Sequence, residues 1–278
     1  MRERTVLITG ANSGVGFAAA SELAEQGARI VMVCRNRERG EDARAQLAER
    51  SRGEAPELFI ADLSSQAEVR ALAVRLRRDH ERIDVLLNNA GSVFAKRELS
   101  ADGIEKTFAT NHLAPFLLTN LLLGLLRASP SARVVTVASE IYSRKLDFDN
   151  LQGERSYQFF KAYQRSKLCN VLFAYELARR LGPELTSNVV SPGPSKTGFG
   201  GDMTGLPLLF TKVMKSTPRF GPAEKGARTL IYAASSPDLA TVSGRFFYKS
   251  KELQTKPITH DLAAATRLWQ VSEELCPI

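Results

Sequence analysis

Short apolar runs alternate with longer amphipathic stretches along almost the whole chain. The apolar runs lie near residues 6–8, 29–34, 58–60, 83–87, 133–138, 186–190 and 245–248. Stretches with helical spacing fill the intervals, ending near 26, 50, 79, 126, 181, 234 and 275. Strands separated by helices of this length need crossover connections rather than hairpins, which indicates a parallel sheet. We predict an α/β, doubly wound fold, with a seven-stranded parallel sheet and helices on both faces.

The chain contains no Pro/Gly/Ser-rich linker and no internal repeat, so we predict a single domain over residues 1–278. One segment, about 195–222, breaks the alternation with glycines and prolines. Long irregular segments in compact domains often serve as lids over a binding site. Its apolar side chains predict a substrate lid and a lipophilic substrate.

Composition excludes several classes of protein. The net charge is +8, but the arginines are spread over helical stretches and no basic block contains interleaved aromatics, which argues against nucleic-acid binding. The cysteines and histidines lack metal-ligand spacing, so we expect no metal site. Scattered cysteines fit a reducing compartment, and no leading apolar helix precedes the first strand. We therefore predict a cytoplasmic protein without a membrane anchor.

A glycine-rich loop follows the first strand and opens the first helix. Its candidate cofactor residues are Gly10, Asn12, Ser13, Gly14, Val15 and Gly16. Glycines permit a tight turn and close approach of backbone N–H groups to phosphate, and the helix dipole adds positive potential. In this strand–loop–helix context, the loop predicts a dinucleotide-binding Rossmann fold.

The end of the second strand predicts which dinucleotide is bound. Arg35 and Asn36 stand where a site for NAD(H) offers a carboxylate to the ribose hydroxyl. A guanidinium binds a 2′-phosphate, so we predict NADP(H) rather than NAD(H). Asp62 follows the third strand, where it either holds the adenine or caps the next helix.

Tyr163 and Lys167 are four residues apart on a predicted helix, so their side chains share a face. A nearby cation lowers the pKa of a phenol, which makes tyrosine usable as an acid or base. Tyr157 and Lys161 form a second pair with the same spacing. We prefer Tyr163 because it begins the stronger helical pattern.

Together these motifs resemble the short-chain dehydrogenase/reductases, and their finer features resemble the retinol dehydrogenase-like branch. The resemblance rests on the glycine loop, Asp62-Leu63, Asn88-Asn89-Ala90-Gly91, Asn111, Ser139, Tyr163-x-x-x-Lys167 and Pro192-Gly193. It implies an oxidoreductase that interconverts a ketone or aldehyde and its alcohol. It also implies a homodimer or homotetramer.

The resemblance further implies a role for individual residues. Tyr163 is the acid/base, Ser139 binds the substrate oxygen, and Lys167 binds the nicotinamide ribose and lowers the pKa of Tyr163. Asn111 holds a water in a proton relay. Further cofactor contacts fall on Leu63, Asn89, Ala90, Gly91, Pro192, Gly193, Ser195 and Thr197.

Two other functions remain open. One is a nucleotide-binding sensor or scaffold without redox turnover, because fold alone does not fix function. The other is a non-redox dehydratase or cyclase that uses the same tyrosine. The complete set of Asn111, Ser139, Tyr163 and Lys167 favours the oxidoreductase, since a binding module does not need it.

Overall fold

The computed structural model describes residues 1–195 and 221–278. Its strands form one eight-stranded sheet in the order β3-β2-β1-β4-β5-β6-β7-β8. The strands are β1 Thr5–Thr9, β2 Arg29–Cys34, β3 Glu57–Ile60, β4 Val85–Asn88, β5 Arg133–Val137, β6 Thr186–Ser191, β7 Phe246–Tyr248 and β8 Lys251–Glu252. The strand order reverses direction between β1 and β4, where open parallel sheets bind their ligands.

The α-helices of the described residues are α1 Gly14–Glu25, α2 Arg37–Ala48, α3 Gln66–Asp79, α4 Lys106–Phe108, α5 Ala114–Leu121, α6 Leu123–Arg127, α7 Phe159–Leu181, α8 Ala223–Ser235 and α9 Leu262–Leu275. A π-helical turn, Ala109–Leu113, joins α4 to α5. Short 3-10 turns occur at Phe148–Asn150, Gly182–Glu184, Pro237–Leu239 and Pro257–His260.

Successive residues of the central strands point into two separate cores. Leu7 of β1 belongs to the core packed by α3, α5 and α7, whereas its neighbours Val6 and Ile8 belong to the core packed by α1 and α8. All three are fully buried. Burial on both faces explains why these strands are continuously apolar in sequence. The α/β, doubly wound prediction is confirmed.

The eighth strand corrects the expected seven-stranded, all-parallel sheet. β8 pairs antiparallel with β7 through a two-residue turn, Lys249-Ser250. Both turn residues have positive φ, 51° and 56°, as tight hairpin turns of the type I′ geometry require. Ser250 N donates to Thr229 Oγ1 at 3.3 Å, which holds the turn against α8. A Lys-Ser pair lacks the Asn or Gly that signals such a turn in sequence.

The helix predicted over 103–126 is interrupted. It begins after Glu105, whose carboxylate accepts from the N–H groups of Thr107 and Phe108 at 2.8 Å. Pro115 has no N–H to donate to the carbonyl of Asn111 four residues earlier, and its ring crowds that carbonyl. The chain therefore widens into the π turn around Asn111. Such turns are frequent at functional sites.

His112, in the same π turn, is 1% exposed and packs between Phe108 and Phe116. Its Nε2 lies 2.9 Å from Ser272 Oγ on α9. Since that hydroxyl donates to the Leu268 carbonyl at 2.7 Å, Nε2 is the donor to Ser272. Burial lowers the pKa of His112 from 6.5 to about 3.

Because of His112, we predict that the free energy of unfolding decreases at acid pH. At a pH between about 3 and 6.5, His112 is protonated in the unfolded chain but neutral in the folded protein. Protons therefore favour the unfolded chain, and stability falls as the pH drops below about 6.5. At pH 5 the expected loss is about 2 kcal/mol relative to neutral pH. Urea denaturation of the wild type and H112Q at both pH values measures it. H112Q should lack this loss and H260Q, at an exposed histidine, should keep it; equal pH dependence in all three proteins would contradict the assignment.

No helix among the described residues combines the length and apolar character needed to cross a bilayer. Within the same part of the chain, no three His, Cys, Asp or Glu side chains are grouped so that they could hold a metal ion.

Candidate active site

The carboxyl ends of β1, β4, β5 and β6 meet at one edge of the sheet, and several of the predicted site residues follow directly after them. Gly10 follows β1 and has a positive φ of 68°. A Cβ on Gly10 would lie 3.1 Å from the Cα of Ala90, which follows β4. Position 10 therefore requires glycine, because the turn after β1 has left-handed backbone and passes close to the chain after β4.

Gly16 has an even tighter environment. A Cβ there would overlap the Gly10 carbonyl oxygen and the Asn89 Nδ2 atom. Asn89 Nδ2 donates to the carbonyls of Thr9 and Gly10, at 2.8 and 3.2 Å. The asparagine thus joins the chain after β4 to the glycine turn, and the missing side chain of Gly16 leaves room for it.

The amino end of α1 opens onto this turn. Ser13 is the N-cap residue, and its side chain makes no capping hydrogen bond. Gly14 begins the helix with a φ of 56°. The first N–H groups of a helix without a side-chain cap are donors for an anion, and the dipole favours negative charge there. The free backbone donors around Asn12, Ser13 and Val15 could therefore hold the pyrophosphate of a dinucleotide.

Cys34 holds the glycine-rich loop in place through hydrogen bonds to its backbone, a role that its position in the sequence did not suggest. The backbone N–H groups of Ala11 and Asn12 hydrogen-bond to its sulfur, while burial raises the pKa of the thiol to about 11. A thiol with a raised pKa is a poor nucleophile. Cys34 is thus a structural acceptor at the end of β2.

The residues predicted to select the cofactor lie at the same edge. Arg35 is exposed directly after β2. Asn36 caps α2, accepting from Arg39 N at 2.9 Å. The carboxylate of Asp62 accepts from the backbone N–H and the hydroxyl of Ser64, both at 2.8 Å, whereas the cap of α3 is Ser65. Of the two roles left open for Asp62, helix capping is therefore wrong.

Leu63, also a predicted cofactor residue, is partly buried and packs against the core on the α3 side of the sheet.

Ser139 and Tyr163 are brought together at the end of β5. Their hydroxyl groups are hydrogen-bonded, and Ser139 Oγ also accepts from Ile141 N at 3.1 Å. Lys167 is one turn further along α7 and is 4% exposed. Its Nζ lies 5.7 Å from the centre of the Tyr163 ring and donates to the Val137 carbonyl at 3.0 Å. The side chains of Tyr163 and Lys167 thus lie close together on one face of α7, as predicted.

The pKa of Tyr163 corrects one expectation. Burial raises it to about 12, a hydrogen bond from Ser139 lowers it, and the negative charge of Glu140 raises it. Burial also lowers the pKa of Lys167 to about 8. The expected lowering of the Tyr163 pKa by Lys167 is therefore not seen. At neutral pH Tyr163 is a protonated donor.

Asn111 is fully buried, and its side-chain amide joins three segments. Its Oδ1 accepts from Ser92 N at 2.8 Å, and its Nδ2 donates to the Ser92 carbonyl and to Ser166 Oγ, each at 3.0 Å. Ser166 in turn donates to the Tyr163 carbonyl at 2.8 Å. Asn111 therefore fixes the first turns of α7 to the chain after β4.

Gly91 lies between the side chains of Asn111 and Lys167. A Cβ at this position would be 3.5 Å from Asn111 Oδ1 and equally 3.5 Å from Lys167 Nζ. Any larger side chain would fill the space in front of the lysine.

Tyr157, the competing tyrosine, lies elsewhere. Its hydroxyl donates to the Phe94 carbonyl at 2.8 Å and lies 3.2 Å from Glu105 Oε1. Burial is the main reason that its pKa rises to about 12. Lys161 is exposed. These contacts make Tyr157 a structural tyrosine that braces the start of α4.

The turn after β6 carries the remaining predicted contacts. Gly193 has a φ of 68°, and a Cβ there would lie 2.9 Å from the Tyr248 ring. Ser195 is 7% exposed, and its hydroxyl donates to the Pro192 carbonyl at 3.2 Å. A Cβ on Gly226 of α8 would overlap that hydroxyl, which shows how closely α8 covers the turn. Thr197 and residues 196–220 of the expected lid lie outside the described residues.

Ser92, Ser166, Thr9 and Glu140 were not among the site residues predicted from the sequence. Thr9 Oγ1 accepts from the N–H groups of Asn89 and Ala90, each at 3.0 Å. Serines and threonines that serve the backbone in this way have no signal in a single sequence, because their partners are distant along the chain.

Comparison with known proteins agrees with this geometry. Residues 4–204 match the family described as short chain dehydrogenase. Human retinol dehydrogenase 14 is 44% identical, over 98% of this chain and 86% of that protein. An uncharacterized protein from Mycobacterium Paratuberculosis, known from its crystal structure, is 34% identical with a TM-score of 0.78, covering 99% of this chain and 94% of the other.

A short chain dehydrogenase from Escherichia coli CFT073, solved in complex with NADPH, has a TM-score of 0.71. It is 22% identical, over 90% of this chain and 98% of that chain, so this likeness concerns the fold alone. The family match and the retinol dehydrogenase relative together extend over the glycine turn, Ser139, Tyr163 and Lys167. The chain is therefore an oxidoreductase that belongs to the short chain dehydrogenase family, within its retinol dehydrogenase-like branch.

Proposed function

We propose that the protein is an NADP(H)-dependent oxidoreductase that interconverts a lipophilic ketone or aldehyde and its alcohol, with Tyr163 as the acid/base. The observation that carries this proposal is the group of Ser139, Tyr163 and Lys167 beside the glycine turn. Ser139 is hydrogen-bonded to the phenol, and the lysine ammonium lies against the same ring. The proposal includes the predicted roles of Asn111 and of the residues around the glycine turn.

The chain's own residues account for the proton and the orientation of the substrate. Tyr163, protonated at neutral pH because burial raises its pKa to about 12, gives its proton to the carbonyl oxygen during reduction. Ser139 donates a hydrogen bond to the same oxygen as negative charge develops on it. When bound, a reduced nicotinamide dinucleotide supplies the hydride. The loop around Ser13 and Gly14 would hold its pyrophosphate, and Lys167 its ribose.

A lipophilic substrate is supported by two exposed apolar side chains that are close in sequence to Ser139 and Tyr163. Ile141, two residues after Ser139, is 48% exposed, and Phe160, at the start of α7, is 49% exposed. Large apolar side chains left in contact with water at a site entrance favour an apolar ligand. The name of the human relative, retinol dehydrogenase 14, points to the same class of substrate.

The preference for NADP(H) depends on Arg35. We expect R35D to lose affinity for NADPH by roughly tenfold to a hundredfold and to gain relative preference for NADH, because a carboxylate repels the 2′-phosphate. Fluorescence titration with both reduced cofactors measures the ratio. R52D, at another exposed arginine beyond the far end of α2, is the matched control. An unchanged ratio in R35D would remove Arg35 from this role.

Turnover with a panel of lipophilic ketones and aldehydes tests the proposed function. We expect NADPH consumption matched by formation of the corresponding alcohol, identified by chromatography. Binding of NADPH without its oxidation across the panel would favour a sensor or scaffold. Conversion of a carbonyl compound without NADPH consumption would favour the dehydratase or cyclase.

A further inference from the structure

Glu140 follows Ser139 directly and is half-buried at the end of β5. Its Oε2 accepts a hydrogen bond from the hydroxyl of Ser191, the last residue of β6. Ser191 Oγ also accepts from Gly193 N at 3.1 Å. A carboxylate, a hydroxyl and a backbone amide thus connect the end of β5 to the turn after β6.

We propose that Glu140 is a positioning residue for carbonyl reduction, which fixes the Pro192–Gly193 turn and places a negative charge beside the Tyr163 phenol. The inference rests on the proposed function, since both concern the same site. The motifs that indicate the fold and the proton donor do not require an acidic residue at this position.

The positioning part of the proposal follows from the constraints on the turn. Gly193 has left-handed backbone and lies against the Tyr248 ring, while α8 closes over Pro192 and Ser195. The backbone N–H of Gly193 donates to Ser191 Oγ, which ties the turn to the end of β6. Glu140 fixes the orientation of that hydroxyl, because the serine has one proton and donates it to the carboxylate.

The electrostatic part concerns the groups that face the phenol. The charged side chains that these contacts place near the phenol are Glu140, the chain neighbour of the hydrogen-bonded Ser139, and Lys167 of α7, whose Nζ lies 5.7 Å from the ring centre. Burial is the main cause of the raised pKa of Tyr163, and the hydrogen bond from Ser139 lowers this pKa. The negative charge of Glu140 is a smaller effect that raises it. Asn111 and Ser166, which are hydrogen-bonded to each other at the start of α7, add only neutral polar groups. Glu140 therefore favours the protonated phenol.

Two substitutions separate the two effects. E140Q keeps an oxygen that accepts from Ser191 and removes the charge, so the phenol should ionise at lower pH while the turn stays in place. S191A keeps the charge and removes the link to Gly193, so the turn should loosen while the phenol is little changed. E154Q, at an exposed glutamate in the loop before α7, is the matched control for loss of a negative charge.

The kinetic test is the pH profile of kcat/KM for alcohol oxidation, together with the KM for NADPH in reduction. Oxidation requires the phenolate, so kcat/KM should rise with pH towards the Tyr163 pKa of about 12. We expect E140Q to shift this rising limb to lower pH by roughly half a unit or more, seen as an about threefold higher kcat/KM at each pH of the limb, with an unchanged KM for NADPH. We expect S191A to raise the KM for NADPH several-fold with the limb in place. E154Q should match the wild type. An unshifted limb in E140Q, or an unchanged KM in S191A, would overturn the proposal.

A second measurement does not depend on turnover. The tyrosinate absorbance that Tyr163 contributes is obtained by subtracting Y163F from the wild type, and E140Q/Y163F from E140Q, over the pH range in which circular dichroism stays native. Tyr163 should ionise at lower pH in E140Q. Equal ionisation would reject the role of Glu140 even if the wild type reduces carbonyl compounds. A clear shift in a protein that reduces none would keep the electrostatic role of Glu140 and reject the proposed function.

Discussion

Y163F should reduce carbonyl compounds with a kcat about 10²- to 10⁴-fold below that of the wild type, the range by which a positioned general acid accelerates a reaction. The ring remains to pack against Lys167, whose Nζ lies 5.7 Å from its centre, and only the proton donor is removed. NADPH should still bind within a few-fold of the wild-type affinity. Steady-state NADPH oxidation and fluorescence titration measure the two quantities.

Y157F is the matched control, because it removes the same atom from the competing tyrosine. Tyr157 donates to the Phe94 carbonyl at 2.8 Å and also contacts Glu105. Y157F should therefore lower the free energy of unfolding by about 1–3 kcal/mol, since buried acceptors lose their donor, and keep turnover. Loss of turnover in Y157F with activity kept in Y163F would reverse the assignment.

G16A should weaken NADPH binding by roughly tenfold or more, equivalent to about 1.4 kcal/mol or above. Its Cβ would overlap the Gly10 carbonyl and the amide of Asn89, so the turn after β1 must move. The same overlap should lower the free energy of unfolding by about 1–3 kcal/mol. Fluorescence titration and urea denaturation measure both effects.

Gly124 in α6 offers the matched control for G16A. Apart from its chain neighbours and the backbone of its own helix, no described residue has an atom within 4 Å of the position that a Cβ on Gly124 would take. G124A should therefore bind NADPH as the wild type does, and gain up to about 1 kcal/mol in stability because alanine favours the helix. Equal cofactor affinity in G16A and the wild type would show that the close packing at Gly16 does not shape the site.

The features that could be predicted from the sequence are those in which the local backbone conformation or the spacing of nearby residues requires a particular residue type. Gly10 and Gly14 have the positive φ that the loop pattern implied. Lys167 shares a face of α7 with Tyr163, as a spacing of four residues requires. The parallel sheet followed from the lengths of the helices between strands. These features depend on neighbouring residues, so a single sequence shows them.

The features that escaped prediction depend on partners distant in the chain. The Lys249-Ser250 turn is held by α8 rather than by its own residue types. The hydrogen bond between Ser191 and Glu140 spans two strands. The pKa of Tyr163 follows mainly from burial, which helical spacing does not reveal. The π turn at Asn111 is different, because Pro115 four residues later was a visible signal of a broken helix.

The central claim is that Tyr163 supplies the proton when a carbonyl compound is reduced by bound NADPH. Stopped-flow fluorescence under single-turnover conditions, with protein in excess over NADPH, tests it most directly. On mixing with a lipophilic carbonyl compound, NADPH fluorescence should decay rapidly in the wild type and persist in Y163F. Fluorescence that persists in the wild type across the whole panel, or decays equally fast in both proteins, would contradict the claim.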